Sequence, residues 1–196
     1  MPHLLVIRET RTAKHMEAME DQVEHIYFEE EQRFRQPWLW AILLLSLAVP
    51  LAIFGYGLVQ QLVLKKPFGD RPTSDASLII TAGSILVLGV GISVLFYKMK
   101  LVTKLDSGHL HILFSPLKRR DIPLSDIAHW TVCTYNPIRD YGGWGIKVGR
   151  RGWAYNVSGN RGVELQLANG KRLLIGSQRS EELAAAITLA KSERRR

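Results

Sequence analysis

The chain has 196 residues, with 26 Lys and Arg against 18 Asp and Glu, and a formal net charge of +8. Its single cysteine, Cys133, excludes an internally disulfide-stapled scaffold and fits a reducing, cytoplasmic setting. The charge is segregated: residues 1–36 hold five basic and eight acidic side chains, residues 37–97 three and two, and residues 98–196 eighteen and eight.

The N-terminus lacks a basic start leading straight into a short apolar core, so no signal peptide is expected there. Met16, Met19, Val23 and Ile26 recur at helical spacing among Glu17, Glu20, Asp21 and Glu24. This predicts a short amphipathic helix before the membrane, packing on the protein's own domain, with a contact for a partner or the membrane surface as the alternative. Its acidic polar face argues against anionic lipid, which draws Lys and Arg. "IYFEEEQRFRQPW" follows; Glu29 to Glu31 are read as a solvated charge run, with pairing to the basic half as the alternative.

Two charge-free runs come next. Pro37–Val59 is introduced by Trp38 and Trp40, and Pro50 inside it is expected to kink a helix. The second run covers residues 76–97. At about 1.5 Å per residue each can cross a hydrocarbon layer of about 30 Å. Arg33, Arg35, Lys98, Lys100 and Lys104 flank the pair, against Lys65, Lys66 and Arg71 in the connecting loop. The positive-inside rule then predicts a multi-pass cell-membrane protein with both termini cytoplasmic. Ala48 with Ala52, and Gly89 with Ser93, are read as helix-packing positions.

Beyond residue 98 the apolar period falls to two. Strands are predicted on both sides of Asp106-Ser107-Gly108, over "RDIP", from about Ile127 to Tyr135, in "GGWGIKVG" and in "GWAYNV". Gly162–Leu167 and Lys171–Gly176 read as a hairpin around Asn169-Gly170, expected to form a tight two-residue turn. "SEELAAAITLAK" is a strong helix former with Leu183, Ile187 and Ala190 on one stripe. The fold expected is α+β: a two-helix transmembrane hairpin (37–97) between a juxtamembrane segment (1–36) and an antiparallel β-barrel or sandwich capped by a C-terminal helix (98–196).

"YFEEEQRFRQPWLW" and "YGGWGIKVGRRGWAYNVSGNRGVELQLANGKRLLIGSQRSEELAAAI" are similar to a family of small uncharacterised prokaryotic membrane proteins. In that family two transmembrane helices precede a bacterial pleckstrin-homology-like (PH-like) domain. The resemblance runs from about Tyr27 to Ile187 and implies the same for the domain here; Ser180 departs from it by standing where proline is expected. It brings no catalytic residues.

Chemistry is sparse. His109 and His111 share a strand face with only Asp106 near, a poor zinc set, and no metal or cofactor is expected. His129 and Cys133 also share a face, but four strand residues span about 13 Å, too far for a thiolate–imidazole pair. Gly143, Gly145 and Gly149 miss the dinucleotide spacing by one residue. No basic recognition helix marks a nucleic-acid binder. Basic side chains do cluster at predicted turns. Trp144, Lys147, Arg150, Arg151 and Trp153 form the candidate interaction surface, for anionic lipid headgroups or a protein partner. The expected function is therefore a non-enzymatic, membrane-anchored interaction or scaffold protein. An accessory subunit of a membrane enzyme or transporter acting on a lipid or small molecule is the rival. The spans offer that rival only Ser46, Tyr56, Thr81, Ser84 and Ser93, with no charged group.

Overall fold

A computed structural model describes residues 25–69, 71–149 and 151–194. Apart from Ile26, the positions predicted for the N-terminal amphipathic helix lie outside the described residues. The chain then enters strand β1 (Phe28–Arg33), helix α1 (Pro37–Leu58) and a π-helical turn (Val59–Val63), and returns by helix α2 (Asp75–Lys98). Strands β2 (Lys100–Leu105), β3 (His109–Ser115), β4 (Lys118–Pro123) and β5 (Ile127–Thr134) follow. Next come a short helix α3 (Pro137–Tyr141), β6 (Gly145–Gly149), β7 (Gly152–Asn156), β8 (Arg161–Leu167), β9 (Arg172–Gly176) and helix α4 (Ser180–Glu193).

The strands make two sheets, ordered β1-β2-β3-β4 and β5-β8-β9-β7-β6. All pairings are antiparallel except β7 with β9. Of the two expected forms, barrel or sandwich, strand pairing closes no barrel: among the described residues no strand ladder joins one sheet to the other. Instead both sheets turn apolar side chains into one core. Leu101, Leu105, Leu110, Ile112 and Phe114 come from the first sheet, and Tyr155, Val163, Leu165, Leu173 and Ile175 from the second. Helix α4 adds Leu183, Ile187 and Ala190, the predicted stripe, and all three are buried. Lys191 Nζ donates to the Ile127 carbonyl and the Tyr27 hydroxyl donates to Glu193, pinning that helix to β5 and to the segment before β1.

The acidic run forms a strand and is a solvated charge run only in part. Phe28, Glu30 and Gln32 are buried in β1 while Glu29, Glu31 and Arg33 face out. Glu31 takes the alternative reading, bonding Arg33 at 2.6 Å and Lys100 at 2.7 Å. β1 pairs with β2 from Phe28↔Leu105 to Arg33↔Lys100. The expected division into 1–36, 37–97 and 98–196 therefore cuts a sheet: the β-domain is discontinuous, and the helical hairpin is inserted between its first two strands.

The Asn-Gly hairpin also differs in detail. Leu167 N donates to the Lys171 carbonyl, leaving a three-residue loop, Ala168–Gly170. Gly170 alone adopts a left-handed conformation there (φ 78°), the arrangement of a type I turn followed by a left-handed residue.

Helix α1 runs unbroken through Pro50. Ser74 caps α2 by accepting from the Ser77 amide. Pro37–Val63 and Asp75–Lys98 are long and apolar enough to cross a membrane, and only 6% of the most apolar window of each is buried within the protein. They pack closely at Gly89, where a Cβ would stand 2.4 Å from Leu47 Cδ1. Three residues join β1 to α1 and one joins α2 to β2.

Candidate functional site

The candidate surface assembles around the short joints between helices and sheets. Trp38, in the first turn of α1, packs its ring 5.5 Å from that of Trp144. The Trp144 indole donates to the Gly159 carbonyl at 3.1 Å, and Gln36 Nε2 donates to the Val157 carbonyl at 2.6 Å. Two loops of the second sheet, before β6 and between β7 and β8, are thus gathered at the mouth of the hairpin.

The structure disperses the other expected members. β6 carries the chain about 16 Å away from Trp144 before the next turn. There Arg151 Nη1 lies 4.0 Å from Glu164 Oε2, a weak contact beside the closer Arg172–Glu164 pair at 2.5 Å. Trp153 packs on the core, with Lys118 Nζ 4.5 Å from its ring centre. Lys147 is half-buried in the edge strand β6, opposite Ala154. Arg150 lies outside the described residues. Trp144 therefore faces the helices, while Arg151 belongs to the outer face of the second sheet.

That outer face holds a shallow polar depression of about 210 Å³ lined by His129, Thr131, Cys133, Glu164, Gln166 and Arg172. It brings His129 and Cys133 to one site without pairing them. Burial pushes the Cys133 thiol up, and the Glu164 carboxylate adds to this, so the thiol stays protonated and poorly nucleophilic. Beside it, burial raises the Tyr135 phenol to about 12.

At the β2–β3 turn, Asp106 Oδ1 accepts from the Gly108 and His109 amides, each at 2.7 Å, which fixes the turn. His111 Nε2 meets Asp106 Oδ2 at 2.6 Å and His111 Nδ1 meets Asp121 Oδ1 at 2.5 Å. Sequence spacing hid Asp121, which the register places opposite His111. One donor atom each from Asp106, His109 and His111 fall within 4.8 Å of one another. Both imidazole nitrogens of His111 are nevertheless committed to carboxylates. Burial opposes its charge, but the two carboxylates outweigh that and raise its pKa, so the cluster is built to hold a proton. Asp121 responds in kind, its pKa lowered chiefly by His111 and further by Arg119.

A second cleft, of about 160 Å³, opens at the hairpin mouth and is lined by Arg33, Phe34, Arg35, Trp40 and Tyr97. Phe34 is buried between Phe96 and Phe114, with ring centres 5.6 and 6.2 Å away. Trp40 Nε1 donates to the Phe34 carbonyl at 2.8 Å, and its ring meets Tyr97 edge-on at 6.5 Å. The sequence displays each of these residues, but only the β1–β2 pairing brings Arg33 and Arg35 beside Tyr97.

Two open sheets around one core, with two apolar helices inserted after the first strand, define an α+β protein with a surface site at the helix mouth. The chain belongs to a family of unknown function (DUF6141), whose model matches residues 19–193. That match takes in β1, both apolar helices and α4, so the discontinuous β-domain and its insertion form one family unit. No curated protein matches the chain.

Proposed function

We propose that this protein is a non-enzymatic, membrane-anchored interaction module: two transmembrane helices hold a PH-like β-domain against the cytoplasmic leaflet, with both termini in the cytoplasm. One observation carries the reading. The apolar hairpin is spliced into the first sheet through joints of three residues and one, so the domain has no linker on which to swing. With α1 and α2 in a bilayer, the first turn of α1 at Trp38 and the loops around Trp144 and Val157 sit at headgroup depth, where Trp rings are favoured. Basic side chains near that plane gain about 1 kcal/mol each from anionic lipid. A protein partner would meet the outer face of the second sheet, which carries the polar depression.

Depth measurement tests this. In a Cys133→Ser background, a nitroxide is placed at Asn160, beside the mouth, or at Asn169, in the turn at the opposite end of the β8–β9 hairpin. With the full chain in lipid nanodiscs, the label at 160 is expected to be relaxed by lipid-borne paramagnets and the label at 169 is not. Equal responses would contradict a domain held flush with the leaflet.

A further inference from the structure

We propose that the cleft between Arg33, Phe34, Arg35, Trp40 and Tyr97 binds the phosphate headgroup of an anionic glycerophospholipid of the cytoplasmic leaflet. This rests on the membrane reading above, but places the lipid contact away from the expected surface at Trp144–Trp153.

The chemistry is divided as such a ligand requires. The two arginines flank the buried Phe34 in an extended segment, so their guanidinium groups share the outward side. Arg33 already bonds Glu31, which also holds Lys100. Arg35 is exposed and makes no hydrogen bond or ion pair among the described residues. Glu31 thus neutralises part of the rim and leaves one guanidinium uncommitted, with the planar fork that suits phosphate oxygens. Beneath the cations lies an aromatic floor of Trp40 and Tyr97, which belong to the ends of the two apolar helices. Trp40 is locked by its bond to the Phe34 carbonyl, so the floor exists before any ligand arrives. A free phosphate would use only the rim. A lipid would use both halves, its phosphate on Arg35 and Arg33 and its glycerol and upper acyl carbons on the rings.

The test uses the full chain purified in a mild non-ionic detergent. Phosphatidylglycerol, phosphatidylcholine or inorganic phosphate is titrated in, and the thermal midpoint and the retained lipid are read. Phosphatidylglycerol is expected to stabilise the protein at concentrations where the other two do not. Arg35→Gln is expected to weaken its binding about fivefold, and Arg33→Gln with Arg35→Gln about thirtyfold, from the usual increment per basic residue near anionic lipid. Arg139→Gln, an exposed cation outside the cleft, serves as the control and leaves binding unchanged. Equal responses to the two lipids, or a double variant that binds like the parent, would overturn the proposal. A response to inorganic phosphate as strong as to phosphatidylglycerol would reassign the cleft to a soluble phosphate and overturn it as well. Alkaline carbonate extraction of cell membranes separates the two failures. A chain that stays in the pellet without preferring phosphatidylglycerol sinks the cleft alone. A chain released to the supernatant sinks the membrane reading with it.

Discussion

Replacing Glu30 with Ala is expected to destabilise the β-domain by about 2–3 kcal/mol, far more than the neighbouring Glu29→Ala. Glu30 is 7% exposed and points inward from β1. Its carboxylate accepts from Ser177 Oγ at 2.6 Å and from the Gln178 amide at 2.8 Å. Hydrogen bonds to a charged group are worth about 1.5–3 kcal/mol each. Removing a partly buried carboxylate relieves its own desolvation and offsets part of that loss, which leaves the smaller net figure. Glu29 faces solvent, and substitutions at such positions stay within about 0.5 kcal/mol. Glu30→Gln keeps the shape and one acceptor oxygen, so it should fall between the two. The assay is urea unfolding of the full chain in non-ionic detergent, followed by tryptophan fluorescence. A 2 kcal/mol loss lowers the folding constant about thirtyfold. If Glu30→Ala and Glu29→Ala unfold at the same midpoint, β1 is not an integral strand of the domain, and the discontinuous fold is wrong.

The remaining expectations concern single sites. His111→Ala should cost about 1 kcal/mol at pH 5.5 and little at pH 9, read as the shift in urea midpoint. The folded pKa of His111 is raised above 6.5, so its stabilisation is complete below that value and fades as pH rises through the folded one. Asp121, lowered from 3.8, loses its part only as pH falls through its folded value, so the penalty peaks between those limits; a penalty independent of pH would refute the imidazolium bridge. Gly152→Ala should destabilise by more than about 2 kcal/mol, because φ is +102° and a Cβ would lie 2.3 Å from the Arg172 carbonyl oxygen. Gly170→Ala, strained in φ but open around its Cβ, should cost about 1 kcal/mol; equal losses at the two sites would discount the steric clash. Cys133 should react slowly with maleimide at pH 7 in the folded chain and quickly once urea exposes it, since burial holds the thiol protonated. Equal rates would place the thiol on an open surface.

Much of the fold was legible because alternation and turn chemistry are local. The Asp106-Ser107-Gly108 turn, the β8–β9 hairpin and the Leu183–Ile187–Ala190 stripe follow from residues a few positions apart. The apolar helices were equally plain, since a charge-free run needs no partner to be recognised. β1 was obscured because three consecutive glutamates mask its period of two. Glu30 can be buried only because Ser177 and Gln178, almost 150 positions away, satisfy it. The short α3 was hidden for a different reason: five residues capped by Asn136 and stopped by left-handed Gly142 carry too little periodicity to see. The site suffered most. The sequence groups Trp144 with Arg151 and Trp153 by proximity, yet one strand length sends them to different faces. Arg35 and Tyr97 stand 62 positions apart in the chain, and only insertion of the hairpin within a sheet brings them together.

Topology decides the central claim most directly. In a Cys133→Ser background, single cysteines are placed at Lys66, in the loop between the two apolar helices, and at Asn169, in the β-domain. Intact cells are then treated with a membrane-impermeant maleimide. The account predicts labelling at 66 from outside, and at 169 only after the cells are broken. Labelling at 169 on intact cells, or protection of both sites until lysis, would contradict it.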